Sequence, residues 1–134
     1  MPAFEAPPDG VLVVEDDAAV TDLVREVLFL EGYTVTTVAD GAAALAAVAS
    51  APPALILLDL QMPVMDGRSF LHAYRTTVRH SAAIVLLSAG LDLPRAAREL
   101  GVDGYLRKPF TLDELLDVVG ITLAGALHSA TSRN

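Results

Sequence analysis

Three short runs, "VLVVE" (Val11–Glu15), "ALILLD" (Ala54–Asp59) and "AIVLLS" (Ala83–Ser88), are apolar without alternation, and each ends on a polar residue. A strand with one wet face alternates polar and apolar side chains. An unbroken run needs cover on both faces, which parallel sheets receive from their crossover helices. Helical patterns fill the intervals. After the first run, Val20, Leu23, Val24, Val27 and Leu28 recur at helical spacing, and Gly32 supplies a C-terminal stop. "YTVTTV" (Tyr33–Val38) reads as a second, more exposed strand suited to a sheet edge, and Asp40 is placed to cap an alanine-rich helix that ends before Pro52. Further helices are expected near Gly67–Thr77 and Pro94–Leu100, the latter ending at Gly101, with "GYLRK" (Gly104–Lys108) as a fifth strand. The last helix opens on "TLDE", where Thr111 and Glu114 have capping-box spacing, and is expected to run to about Leu127.

Five strand–helix units in strict alternation imply an α/β chain with a parallel sheet between two helical layers. Right-handed crossovers favour a three-layer, doubly wound, flavodoxin-like sheet of strand order 2-1-3-4-5. The length of 134 residues suits one domain. We place it at residues 10–128, with a disordered or extended segment at 1–9 and a tail at 129–134. A formal charge of −8 argues against nucleic acid or an anionic membrane as a direct partner. The absence of cysteine removes disulfides, thiol catalysis and cysteine-based zinc sites. The opening "MPAFEAPPDG" has no secretory pattern, and the most membrane-like run, Ala42–Leu58, is broken by Pro52–Pro53. A soluble, cytoplasmic protein is therefore expected.

A parallel sheet sends the C-terminal ends of its inner strands to one edge, where ligands bind beside strands one and three. Those ends carry Glu15, Asp16 and Asp17, then Asp59, Ser88 and Lys108. Each has an ordinary explanation taken alone. The acidic triplet suits a helix start, Asp59 suits a turn, Ser88 can satisfy backbone groups, and Lys108 can sit in solvent, with Pro109 ending the strand. Their coincidence at one edge is less ordinary, and Lys108 is the single lysine among nine basic residues. Two carboxylates ~5 Å apart repel by roughly 3 kcal/mol at an effective dielectric of about 20. Such a cluster makes sense around a hard divalent cation with oxygen ligands and retained waters, which suits magnesium. Without the metal, the cluster should strain the fold.

In order along the chain, "VLVVEDD", "LILLDLQMPVMDG", "IVLLSAG" and "GYLRKPF" closely resemble the receiver domain of two-component response regulators, over about Val11–Leu127. The resemblance implies that Asp59 is the phosphoacceptor, that Glu15 and Asp16 hold Mg2+ (with Mn2+ as a substitute), and that the backbone carbonyl of Gln61 completes the metal site with Asp59. It implies that Ser88 bonds the phosphoryl group, that Lys108 is the site lysine, and that Ser88 and Tyr105 form the switch. Pro109 is expected to follow a cis peptide bond, Asp17 to be solvated, and Asp66 to cap the third helix. The implied partners are a sensor histidine kinase or phosphotransfer protein and a downstream protein target. Output would pass through the surface of the fourth helix, fifth strand and fifth helix. A switch of this kind is not a turnover enzyme.

Other readings make different demands. An aspartate-nucleophile phosphatase of the haloacid-dehalogenase type needs an acid–base carboxylate two residues after the nucleophile, where this chain has Gln61. A flavodoxin-type cofactor binder needs a phosphate loop rich in small residues, where this chain has "EDDAA". A docking module independent of phosphorylation would not need Glu15, Asp16, Asp59, Ser88 and Lys108 together. The stretch between Ser88 and Lys108 is a little shorter than in familiar receivers, which compresses the loop and fourth helix where the output surface is built. Gly90 offers no side chain to shield a phosphoryl group. His72, His80 and His128 show no ligand grouping and read as surface residues. Leu115, Leu116, Val119 and Leu123 read as core, and the outer face of the last helix leaves a homodimer open. No output segment follows, so the chain reads either as a stand-alone regulator or as a piece of a larger one.

Overall fold

Each unbroken apolar run becomes an inner strand. The structure of the protein, a computed structural model, describes residues 10–62, 64–77, 81–90 and 92–132, with side chains to residue 125. Strands β1 (Gly10–Val14), β2 (Thr34–Val38), β3 (Leu55–Asp59), β4 (Ala83–Ser88) and β5 (Gly104–Arg107) alternate with helices α1 (Ala18–Leu30), α2 (Gly41–Ser50), α3 (Gly67–Arg75), α4 (Leu93–Leu100) and α5 (Leu112–Ser132). Every pairing is parallel and the order is β2-β1-β3-β4-β5, as expected from the alternation. Strands β1, β3 and β4 are buried throughout, whereas β2, at the edge, is half exposed.

Side-chain alternation within each strand separates two cores. Leu12, Val14, Ile56, Leu58, Ile84 and Leu86 pack against α2, α3 and α4 through residues such as Val48, Phe70 and Leu93. Val11, Val13, Leu55, Leu57, Val85 and Leu87 face α1 and α5 through Val24, Leu28, Leu115 and Val119. Both sets are apolar because both faces are covered, and each fully buried leucine contributes roughly 2–3 kcal/mol.

The helix ends follow local chemistry. Asp40 accepts the Ala43 N–H at 2.8 Å and Asp66 the Ser69 N–H at 2.9 Å. Thr111 and Glu114 exchange both capping-box bonds, at 2.8 and 3.1 Å. Helix α1 stops at Gly32 (φ 95°), where Tyr33 N–H bonds the Leu28 carbonyl, and α4 stops at Gly101 (φ 64°).

Some boundaries move from those expected. Glu15 and Lys108 fall one residue beyond their strands, so their side chains enter from loops. Helix α3 closes at Arg75, where Thr76 and Thr77 turn their hydroxyls back onto the carbonyls of Ala73 and Tyr74. Helix α5 continues to Ser132, past the end expected near Leu127 and into the expected tail. No proline interrupts it, and Gly120 and Gly125 cost only about 1 kcal/mol each in a helix interior. His72 is exposed on α3, while residues 1–9, His80, the His128 side chain and residues 133–134 lie outside the described residues. Among the described residues, no helix is long and apolar enough to cross a membrane.

Candidate functional site

The C-terminal ends of β1, β3 and β4 and the residue after β5 meet at one edge. Lys108 Nζ lies 2.5 Å from Glu15 Oε1 and 3.4 Å from Asp59 Oδ2. One carboxylate oxygen from each of Glu15, Asp16 and Asp59 falls within 4.8 Å of the others. Glu15 and Asp59 are buried and Asp16 is exposed. Three carboxylates thus face one ammonium, a formal excess of two negative charges.

Each buried acid keeps one oxygen tied to the backbone. Asp59 Oδ1 accepts the Gln61 N–H at 3.0 Å, and Glu15 Oε2 accepts the Asp17 N–H at 3.1 Å. The other oxygens face the lysine. Glu15 Oε1 is close to Nζ, yet among the described residues no donor is aligned on it as in a hydrogen bond. The contact is one of charge, and the oxygen keeps unused acceptor capacity. Burial pushes the Glu15 carboxyl above its ordinary range, and the Asp59 charge adds to that, while Lys108 and the Asp17 N–H pull it back. For Lys108 burial acts downward, but Glu15 and Asp59 outweigh it and the net shift is upward. The ammonium is therefore held charged where positive charge is most needed.

Three carboxylates with oxygens within 4.8 Å of one another, balanced by a single ammonium, fit a hard divalent cation, so Glu15, Asp16 and Asp59 could hold a metal here. Gln61 is placed by its N–H on Asp59, with its side chain exposed.

Ser88 is buried at the end of β4, and its Oγ accepts the Gly90 N–H at 3.0 Å. The Lys108 N–H donates to the Ser88 carbonyl at 2.9 Å, which ties the lysine's backbone to the serine's. A cavity of about 330 Å³ opens beside them, lined in part by Leu60, Gln61, Ser88 and Gly90. Tyr105, on β5, is 44% exposed. The Lys108–Pro109 peptide is cis.

Three contributors were not anticipated. Asp17 is not simply solvated: its side chain caps α1, accepting from Ala19 N–H and Val20 N–H at 2.9 and 3.3 Å, while its own N–H holds Glu15. An aspartate just before a helical stripe was the available signal. Gly67 packs under the backbone of Asp59 and Leu60, since a Cβ there would lie 2.8 Å from the Leu60 Cα. Its N–H also bonds the Leu60 carbonyl at 3.1 Å, so "MDG" seats α3 directly on the loop after Asp59. Arg107 donates to the Gly90 carbonyl at 2.5 Å, a contact for which no sequence signal existed.

The profile of the response regulator receiver domain matches residues 11–120. The chain belongs to the response regulator receiver family. The transcriptional regulatory protein PrrA of Mycobacterium bovis is 40% identical over 124 residues, which is 91% of this chain and 53% of that protein. This receiver spans about half the length of such curated relatives, 46% for the response regulator MprA of Mycobacterium ulcerans, which is 40% identical over 107 residues, 79% of this chain. Among solved structures, the chemotaxis response regulator CheY4 of Vibrio cholerae superposes with a TM-score of 0.78 at 32% identity, covering 84% of this receiver and 96% of that chain. A putative response regulator from Chloroflexus aurantiacus gives a TM-score of 0.80 at 31% identity, covering 88% and 99%.

Proposed function

We propose that this receiver is a phosphorylation switch that takes a phosphoryl group onto Asp59 from a histidine kinase, a phosphotransfer protein or a small acyl phosphate. The observation that carries the reading is the approach of Lys108 Nζ to both Asp59 (3.4 Å) and Glu15 (2.5 Å) inside a cluster of three carboxylates. An Asp59 carboxylate oxygen forms a bond to phosphorus as the bond from phosphorus to the leaving nitrogen or oxygen breaks. The leaving group departs with the electron pair, and a leaving imidazole nitrogen keeps it as its lone pair. Such a transfer needs positioning and charge neutralisation more than acid–base work.

The residues divide those tasks. The Gln61 N–H fixes one Asp59 oxygen and leaves the other to react. Lys108 presents a compact ammonium that can follow the charge from carboxylate to acyl phosphate, which a rigid guanidinium fork would do less well. Ser88 has one hydrogen to donate to a phosphoryl oxygen. Glu15, Asp16, Asp59 and the Gln61 carbonyl would hold Mg2+, which when bound neutralises charge on the phosphoryl oxygens. Exposed Tyr105 is the aromatic of the switch, read out at the surface of α4, β5 and α5 by a downstream protein. Gln61 does not exchange protons at neutral pH, so the phosphoaspartate persists rather than turning over as in a phosphatase.

Intact-mass measurement after incubation with acetyl phosphate and magnesium tests this. One phosphoryl adduct is expected on the wild type and none on Asp59→Asn. Equal adducts on both, or steady phosphate release from a generic phosphoester, would defeat the reading.

A further inference from the structure

Helix α4 is held to the rest of the fold by little apolar surface. It buries Leu93, Ala96 and Ala97, and Asp92 makes no side-chain cap bond at its start. Arginine–carbonyl contacts stand at both ends instead. Arg75 of α3 donates to the carbonyls of Leu100 and Gly101 at the C-terminal end. At the other end, Arg107 of β5 donates to the carbonyl of Gly90, in the loop that leads from β4.

The second contact is continuous with the site. Ser88 and Arg107 are register partners in β4 and β5. Arg107 holds the Gly90 carbonyl, and the Gly90 N–H is given to Ser88 Oγ at 3.0 Å. Gly90 lacks a side chain, so its backbone is held by what it bonds rather than by its own sterics. A serine hydroxyl has one hydrogen and two lone pairs. With one lone pair taken by the Gly90 N–H, the hydroxyl oxygen is fixed and its single hydrogen stays available.

We propose that Arg107 is a positioning residue for Ser88: by pinning Gly90 it fixes the hydroxyl that bonds the incoming phosphoryl group. The proposal rests on Asp59 as acceptor and adds a residue outside the acidic cluster to the reaction. Arg107 is exposed, and its guanidinium donates to the Gly90 carbonyl, so the route from it to the site that the structure shows runs through Gly90. Orientation set before reaction is worth most when the oriented group serves the transition state.

The test is a double-mutant cycle. Initial rates of adduct formation with acetyl phosphate and magnesium are compared for wild type, Arg107→Ala, Ser88→Ala and the double variant, with Arg107→Lys as the conservative replacement. Loss of one charge-assisted hydrogen bond at an exposed position predicts about a fivefold slower rate for Arg107→Ala. Arg107→Lys should recover much of that rate. In the Ser88→Ala background, removing Arg107 should change the rate by less than about twofold. A fivefold loss that persists without Ser88 would mean that Arg107 acts as a bulk charge drawing in an anionic donor, and would overturn the proposal. A second readout needs no donor: the Gly90 amide should exchange with solvent faster in Arg107→Ala at unchanged overall stability. Unchanged Gly90 exchange overturns the proposal whatever the rates show. Absence of any wild-type adduct, by contrast, defeats the assignment of Asp59 itself.

Discussion

Asp16 is the exposed member of a cluster whose other two carboxylates are buried, so removing its charge relieves repulsion without emptying the core. Asp16→Asn should raise stability in metal-free buffer by about 1 kcal/mol, a melting shift of roughly 4 °C. Calorimetry with a chelator present checks this, and an unchanged midpoint would mean that Lys108 alone balances the cluster. Val64 is a second stressed residue: it is β-branched, 86% exposed, and has φ of 68°. A valine in the left-handed region is strained by about 1–3 kcal/mol, whereas glycine is at ease there. Val64→Gly should therefore stabilise the receiver by about 1 kcal/mol in urea unfolding. The acidic cluster was legible because charge is written in residue identity. The strain at Val64 was not, because its backbone angle is imposed by closure of the loop between β3 and α3.

Helix α3 shows how one element is fixed at its start. The Ser69 N–H, with help from the Ser69 hydroxyl, holds the Asp66 carboxyl below its ordinary value of 3.8. A carboxyl whose folded value is depressed contributes stability that is present above the unfolded value and lost as pH falls through the folded one. Asp66→Ala should cost about 1 kcal/mol near neutral pH. The gap to wild type should narrow as pH drops from about 4 downward, as denaturant titrations at several pH values would show. A constant gap across that range would mean that the uncharged carboxyl caps as well as the carboxylate. The caps on α2, α3 and α5 were legible because a cap and its partner lie three residues apart. The grip of Arg75 on the end of α4 was not, since its partners lie 25 and 26 residues away.

For the whole molecule, β3 is the strand on which both cores close. Leu57 faces α1 and α5, Leu58 faces α2, α3 and α4, and neither has exposed surface. Leu57→Ala and Leu58→Ala should each cost about 2–5 kcal/mol. Both variants should unfold in a single transition, with far-UV dichroism and tyrosine fluorescence coincident in urea, because the two cores share every inner strand. Separate transitions by the two probes would show that the layers unfold independently.

Parallel strands, the sheet order and the set of residues delivered to one edge were determined by sequence alone, because strand and helix periodicities are local and short crossovers leave few topologies. Tertiary structure decided which of those residues meet. It set Lys108 closer to Glu15 than to Asp59, turned Asp17 into a helix cap, and carried Arg107 to Gly90. Contacts of that kind depend on loop paths and side-chain reach between segments as distant along the chain as Glu15 and Lys108, and no local pattern encodes them.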